Sequence, residues 1–294
     1  MIVSRRGVTL VELVVAMAVG GIVLALVAAI SVRQQQLHAD IGDRSALSEQ
    51  LRQASALLPI ELRAIAVDAG DLREARDTAV EFRSTIATGV VCDTNSSGAV
   101  LAPIDGGDSA FVGVLSSVAV GDTAWVLTPS DSDDTWAPYS VVGVAAASGG
   151  ACAAGGPLIG ATARTRSRIA LRLGTSVTAG SVLRVTRPTR YSLYRGGDGF
   201  WYLGAHDWNA TANRFNTIQP TSGPFLSAAS RGLEFQYFDS VGSELARPVS
   251  RTKDVALIRV VVRGQTRGIM RAFAGARARA ADSAILAISL RNRR

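Results

Sequence analysis

Between Leu13 and Val32 every position is apolar except Ser31. A helix rises about 1.5 Å per residue, so roughly twenty such residues span the ~30 Å hydrocarbon core of a bilayer. After Val32 the pattern changes. Leu37, Ile41, Leu47, Leu51, Leu58, Leu62 and Ile65 recur mostly at steps of three, four or seven, while Glu49, Arg52, Gln53 and Arg63 fall off that line. This spacing predicts an amphipathic helix with one buried stripe. The two patterns together predict one helix running from the apolar stretch to about Ala66. Gly20-Gly21 and Gly42 weaken it, because Gly costs ~1 kcal/mol relative to Ala in a helix interior. Pro59 predicts a kink or a break.

Residues 67–78 are polar and turn-like. Beyond them the chain reads mainly as strands, rich in Val, Ile, Phe, Tyr and Thr and in places alternating polar with apolar. The candidate strands are 79–84, 89–92, 110–118, 123–127, 139–145, 167–173, 181–186, 190–195, 200–204, 233–238, 254–263 and 283–291. Gly196-Gly197-Asp198-Gly199, between Tyr194 and Phe200, predicts a hairpin turn. Segments 93–103 and 148–160 read as Gly-, Ala- and Ser-rich loops, and 205–230 as long and irregular, with Asn209, Asn213, Pro220 and Pro224. The Arg- and Ala-rich segment 264–280 reads as a short helix or a connector.

The chain has 294 residues, enough for one or two domains with a sizeable core. Its formal charge is +7, with Lys253 the only lysine. Such basicity suits nucleic acid, acidic lipid or cell-wall polymer, but it reads first as an Arg-biased composition. Two cysteines are present, Cys92 and Cys152. In an exported chain an even count suggests one disulfide.

Arg5 and Arg6 precede the apolar run, which predicts a cytoplasmic N-terminus with the rest of the chain across the inner membrane. Glu12 stands one residue before the uninterrupted apolar stretch. A charge at the centre of a spanning helix costs about 2.5–3.5 kcal/mol on insertion scales, less near its end. A carboxylate there calls for a partner. A secretory signal has its small-residue cleavage site after the apolar core; here the small residue, Gly7, comes before it.

The order Arg5-Arg6-Gly7, Val8, Thr9-Leu10-Val11-Glu12 and then an apolar helix resembles the class III signal of type IV prepilins and type II secretion pseudopilins. The resemblance implies cleavage by the prepilin peptidase between Gly7 and Val8, N-methylation of Val8, and an assembly role for Glu12, the fifth residue of the mature chain. The family's usual first mature residue is Phe, and this chain has Val8. The resemblance covers residues 5–32. With a large β-rich domain it extends to minor pilins of the PilW kind and to the J-type minor pseudopilin.

The expected fold class is α+β and pilin-like. A long N-terminal helix, transmembrane and then amphipathic, packs on a large β-rich C-terminal domain. The expected division is 1–7 leader peptide, 8–32 transmembrane and filament-core helix, 33–66 amphipathic continuation and 67–294 β-rich domain. The expected function is that of a minor pilin that starts or caps a type IV pilus. One alternative is a type II secretion minor pseudopilin; a second is a membrane-anchored periplasmic binding protein or enzyme. Expected partners are other pilins, the prepilin peptidase and the inner-membrane assembly platform, with no cofactor and no metal.

Other constellations are weaker. His38, near Asp40, reads as part of a solvated helix face, and His206-Asp207-Trp208 as a loop too poor in ligands for a metal. No Gly-x-Ser-x-Gly elbow supports a Ser-His-Asp triad. Asp131, Asp133 and Asp134 lack the Gly and terminal Glu of an EF-hand and read as an acidic turn, although some pseudopilins bind calcium in a loop. Tyr191, Tyr194, Phe200, Trp201, Tyr202 and Trp208 read as strand core before they read as a surface-binding patch. Arg263, Arg267, Arg271, Arg277 and Arg279 read as a solvated basic face before a DNA site.

Overall fold

The computed structural model describes residues 9–95, 98–101, 113–114, 116–128, 135–147, 168–173, 177–271 and 277–290. They form two compact units: 1–49 with 265–282, and 50–264 with 283–294.

Helix α1 covers Leu10–Arg63, 54 residues, or about 80 Å of rise. It passes through Gly20, Gly21, Gly42 and Pro59 without interruption. Pro59 lies in the last turns, so its missing N–H removes one ladder bond close to an end that frays anyway. The buried stripe starts later than the spacing predicts. Leu47, Leu51, Ala54, Leu58 and Leu62 are buried and step by four, three, four and four. Leu37 and Ile41 share the periodicity but stay 59% and 56% exposed, so the stripe runs beyond what this chain covers.

The second unit is almost all antiparallel sheet. Its first strands are β1 (Leu72–Ala75), β2 (Ala79–Asn95), β3 (Gly98–Leu101), β4 (Gly113–Val114), β5 (Thr123–Thr128), β6 (Thr135–Ala147), β7 (Arg168–Leu173) and β8 (Val182–Arg195). Then come β9 (Trp201–Asn209), β10 (Arg214–Phe215), β11 (Gln219–Phe225), β12 (Leu233–Phe238), a 3-10 turn at Thr252–Asp254 and β13 (Leu257–Gln265). In the first unit a two-stranded ribbon pairs β14 (Met270–Arg271) with β15 (Arg277–Ala278), and the last strand, β16 (Ala281–Ser289), begins there and continues in the second. Segments 67–78, 93–103, 205–230 and 264–280 therefore hold strands that their composition hides.

The strand pairings close a circuit. β2 pairs with β8 over Ala79–Val90 and with β3 over Val91–Asn95. From β3 the ladder passes to β7, β6 and β5, and β5 returns to β8. Six strands thus make a small barrel, filled with side chains and no pore. Ile86, Ala87, Val91, Ala124, Val126, Val141, Leu171, Leu173, Leu183 and Val185 form one buried cluster there. The far half of β8 leaves the circuit and pairs with β9, followed by β11, β13 and β12. Phe225, Phe235, Tyr237, Ile258, Val260 and Val262 are fully buried along this extension.

Two details explain why β2 and β8 each look like two short strands in sequence. A bulge separates Thr85 from Ala87 in the β2–β8 ladder. Pro188 sits where the second neighbour of β8 changes from β5, which pairs with β8 as far as Thr186, to β9, which pairs with it from Thr189. Leu193 donates toward β2, so by alternation Pro188 faces the other side, where neither β5 nor β9 pairs with it and a missing N–H is harmless.

The end of α1 is joined to the barrel by Asp71, which is fully buried. Its carboxylate accepts two bonds from the Arg184 guanidinium, at 2.9 and 3.0 Å, and one from the Ala66 amide, at 3.0 Å. Its backbone carbonyl accepts the Arg83 amide at 2.9 Å. The Arg184 guanidinium lies over the Trp125 and Trp136 rings, at 5.5 and 5.4 Å. Asp122, also buried, holds Arg187 and the Ala119 amide in the same way. Further along α1, Ser84 donates to the Glu61 carboxylate and Ser222 to the Gln50 carbonyl, setting the helix against β2 and β11. Burial raises the Glu61 carboxyl above its ordinary range, and the Ser84 bond offsets only part of that rise.

Removing one member of a buried ion pair strands the other. Asp71→Ala is therefore expected to cost about 3–5 kcal/mol. Urea unfolding of the detergent-solubilised protein, followed by Trp fluorescence, measures this; a loss under about 1 kcal/mol shows that the junction does not depend on the pair.

Candidate functional site

The chain is described from Thr9 onward; Gly7 and Val8 lie outside the described residues. Helix α1 begins at Leu10, and Leu13 donates the first intrahelical bond to the Thr9 carbonyl at 3.2 Å. Thr9 is the N-cap. Its hydroxyl accepts the Glu12 amide at 3.3 Å, while the Glu12 carboxylate accepts the Thr9 amide at 2.9 Å and the Thr9 hydroxyl at 3.2 Å. This reciprocal arrangement is a capping box, which satisfies donors that a helix start leaves open. Glu12 also places negative charge at the positive end of the helix dipole. The Thr-x-x-Glu spacing announces the box, but reading Glu12 only as a charge at a membrane edge misses it.

Ser31 donates to the Val27 carbonyl at 2.9 Å. The one polar side chain between Leu13 and Val32 is thus satisfied within the helix, and nothing in that run opposes a hydrocarbon surrounding. The run is bare: every residue from Leu10 to Val32 is exposed, Leu10 at 80% and Leu24 at 71%. The helix is long and apolar enough to cross a membrane, with a mean hydropathy of 2.9 in its most apolar window.

Glu12 is therefore held in place by its own first turn. A carboxylate has about four acceptor sites, so the Thr9 bonds leave it capacity for a cation from elsewhere. The geometry suits a pre-positioned anion at one end of a bare apolar rod.

The other candidates separate. The Cys92 backbone lies in β2, and Cys152 lies outside the described residues, as do Asp131, Asp133 and Asp134. His38 is exposed on α1. His206 approaches the Ser192 hydroxyl at 3.5 Å, and its other ring nitrogen faces the Asn216 carbonyl at 3.4 Å, so no carboxylate completes a triad. Among the described residues no cluster of His, Cys, Asp and Glu is arranged to hold a metal. The aromatic group divides. Tyr191 is buried and stacks on Phe82, and burial first, then the Glu61 and Asp207 charges, push its hydroxyl well above the usual range. Trp208 and His206 meet the edge of Phe215. The arginines divide too: Arg263 lies in β13 beside Glu234, while Arg277 lies in the ribbon, exposed.

Residues 3–28 match the family described as the Prokaryotic N-terminal methylation motif. No curated protein and no solved structure matches the chain. The motif points to a pilin- or pseudopilin-like structural subunit; it implies processing by a prepilin peptidase and assembly with other pilins, and the apolar helix that follows it suits membrane anchoring.

Thr9→Ala is expected to loosen the first turn by about 1 kcal/mol. Hydrogen exchange of the Leu10–Leu13 amides in micelles reads this as faster exchange; unchanged protection shows that the cap is dispensable.

Proposed function

We propose that this chain is a minor pilin of a type IV pilus, cut between Gly7 and Val8 and N-methylated on Val8, that helps start or cap the filament. The observation that carries the reading is continuity. The methylation motif at residues 3–28 runs into an unbroken helix that reaches Arg63, bare over its apolar first half. A large sheet domain follows, and its size favours a minor over a major subunit. In this reading residues 1–7 are the leader, 8–32 the filament-core helix, 33–66 its amphipathic continuation and 67–294 the outward-facing domain.

The mechanism is a change of surroundings. Before assembly, lipid covers the bare helix; afterwards, neighbouring helices do. Apolar contact is nearly equal in the two states, so packing and polar contacts decide association. The Glu12 carboxylate supplies such a contact by neutralising the methylated amino group of Val8 on an adjacent subunit.

Intact mass of the native membrane protein is expected to show a chain beginning at methylated Val8. A Met1 start in cells with active peptidase refutes the pilin reading. Partners captured by crosslinking in intact cells separate a pilus from a type II secretion pseudopilus.

Glu12 has two roles to separate, cap and charge. Gln at the same position keeps a capping box but removes the charge. Glu12→Ala and Glu12→Gln are both expected to leave processing intact and to lower incorporation into sheared filaments by about tenfold or more, as for a buried charge that loses its partner. Full incorporation of Glu12→Gln beside a defective Glu12→Ala assigns Glu12 to the cap alone.

A Cys92–Cys152 disulfide belongs to the same proposal, since the domain lies outside the cytoplasm in this reading. It closes a loop of roughly sixty residues, worth on the order of 4 kcal/mol in the chain-entropy account. Non-reducing peptide mapping is expected to recover the linked peptides; two free thiols in fresh extract refute it.

A further inference from the structure

Glu61 lies in the last turns of α1, on the side that meets the sheet. Leu58 and Ile65, three residues before it and four after, are fully buried. Its carboxylate accepts the Ser84 hydroxyl of β2 at 3.3 Å. Among the described residues that hydroxyl is its only hydrogen-bond partner, and no cation forms an ion pair with it.

Residues directly opposite each other in a ladder share a face. Val80, Phe82 and Ser84 of β2 stand opposite Tyr191, Thr189 and Arg187 of β8, and Asp207 of β9 stands opposite Thr189. The titratable groups on the face beneath Glu61 are therefore Arg187, Tyr191 and Asp207. Arg187 is the one cation there, and it is committed elsewhere. It donates to the Asp122 carboxylate at 2.8 and 2.7 Å and to the Ser117 carbonyl at 2.9 Å. Asp207 is a second anion: after burial itself, the Glu61 and Asp207 charges push the Tyr191 hydroxyl upward. Glu81, Arg83 and Arg190 alternate to the opposite face, and β11 carries no charged residue. On α1 the nearest charge, Arg63, is two positions away and exposed, so it does not face Glu61.

A carboxylate partly removed from water needs a cation or several donors. A single hydroxyl replaces little of its hydration. The C-terminal end of a helix is also the negative end of its dipole, which disfavours an anion in this turn. The protonated carboxyl escapes these costs, and it donates as well as accepts.

We propose that Glu61 is a pH-operated latch between α1 and β2: protonated, it closes the last turns of the helix onto the sheet, and ionised, it loosens them. The latch acts within one chain and does not depend on the filament reading.

Burial raises the Glu61 carboxyl above its ordinary value of 4.5, and the Ser84 bond offsets part of the rise. Between the two values the folded chain holds a proton that the unfolded chain has released. The stability linked to Glu61 is thus fully present below the unfolded value and is lost as pH rises through the folded one.

Thermal unfolding of the full chain in detergent, followed by Trp fluorescence at about pH 4.5 and about pH 8, tests this. Glu61→Gln keeps the shape and removes the titration. Its melting temperature relative to wild type is expected to be higher at the alkaline pH than at the acid one by about 2 °C or more. Ser84→Ala removes the bond that favours the anion, so its deficit against wild type is expected to grow from acid to alkaline pH, and to stop growing when Glu61→Gln is added. Hydrogen exchange of the amides of residues 60–63, compared at one alkaline pH where intrinsic rates are equal, is expected to be faster in wild type than in Glu61→Gln. A Glu61→Gln difference that is the same at both pH values, or larger in acid, overturns the proposal, and so does equal exchange. If Glu61→Gln does not fold, Ser84→Ala decides alone: a deficit independent of pH overturns the latch.

Discussion

A helix with no cover over Leu10–Val32 and a buried stripe from Leu47 to Leu62 has to satisfy two solvents at once. The constraint acts on every residue of the first half. Backbone groups must be paired internally, because hydrocarbon supplies no partners. Gly20, Gly21 and Gly42 would be weak points in water, yet the helix passes through them. A Cβ built on any of the three meets nothing within 4 Å, so no close packing inside this chain explains the choice of Gly. In apolar surroundings small residues allow helices to approach closely, a use the isolated chain cannot display.

The second half of the helix faces the opposite requirement. It must be fixed to a sheet domain whose barrel is built from distant segments, and a single carboxylate does much of this. Asp71 is 113 residues from Arg184 along the chain, and it also binds Ala66 and Arg83, so the helix end, β2 and β8 meet at one buried anion. The pair is not obviously favourable by itself, since burying two charges costs about as much as their attraction returns. Its geometry offsets this. The carboxylate is engaged by two guanidinium nitrogens and an amide, and the Arg184 guanidinium also lies over two indole rings. Such a junction fixes orientation more than it adds stability.

Hydropathy carries the apolar run and the stripe from Leu47, because both are local and periodic. The strand at 233–238 was legible for the same reason, with β-branched Val260, Val261, Val262 and Ile258 opposite it on β13. The Gly196–Gly199 turn was legible because Gly199 takes φ 81, a value that favours Gly, and Gly196 bonds to the Phe200 carbonyl. Barrel closure was not legible. It depends on β2 meeting β8 across some hundred residues, and no local pattern encodes that. β11 was hidden by Pro220 and Pro224, which the strand tolerates beside register shifts in its ladder with β9. Asp71 looked like part of a polar turn, because burial of a carboxylate by a remote Arg leaves no trace in its own neighbours.

At the candidate site the charge of Glu12 was legible and its structural partner was overlooked. The oversight bears on mechanism. A carboxylate at the end of a bare apolar helix would swing between rotamers if it were free, and ordering it on association would cost side-chain entropy, up to about 2 kcal/mol for a Glu. Thr9 meets that cost in advance by holding the carboxylate against the first turn. Its remaining acceptor sites then have a fixed origin on the helix. An anion fixed at one end of a smooth apolar rod defines an axial position, which apolar contact alone does not, because a Leu- and Val-rich surface slides past another with little change in energy. In the proposed assembly the cap and the charge become one device: local hydrogen bonds hold the group whose charge would set the register.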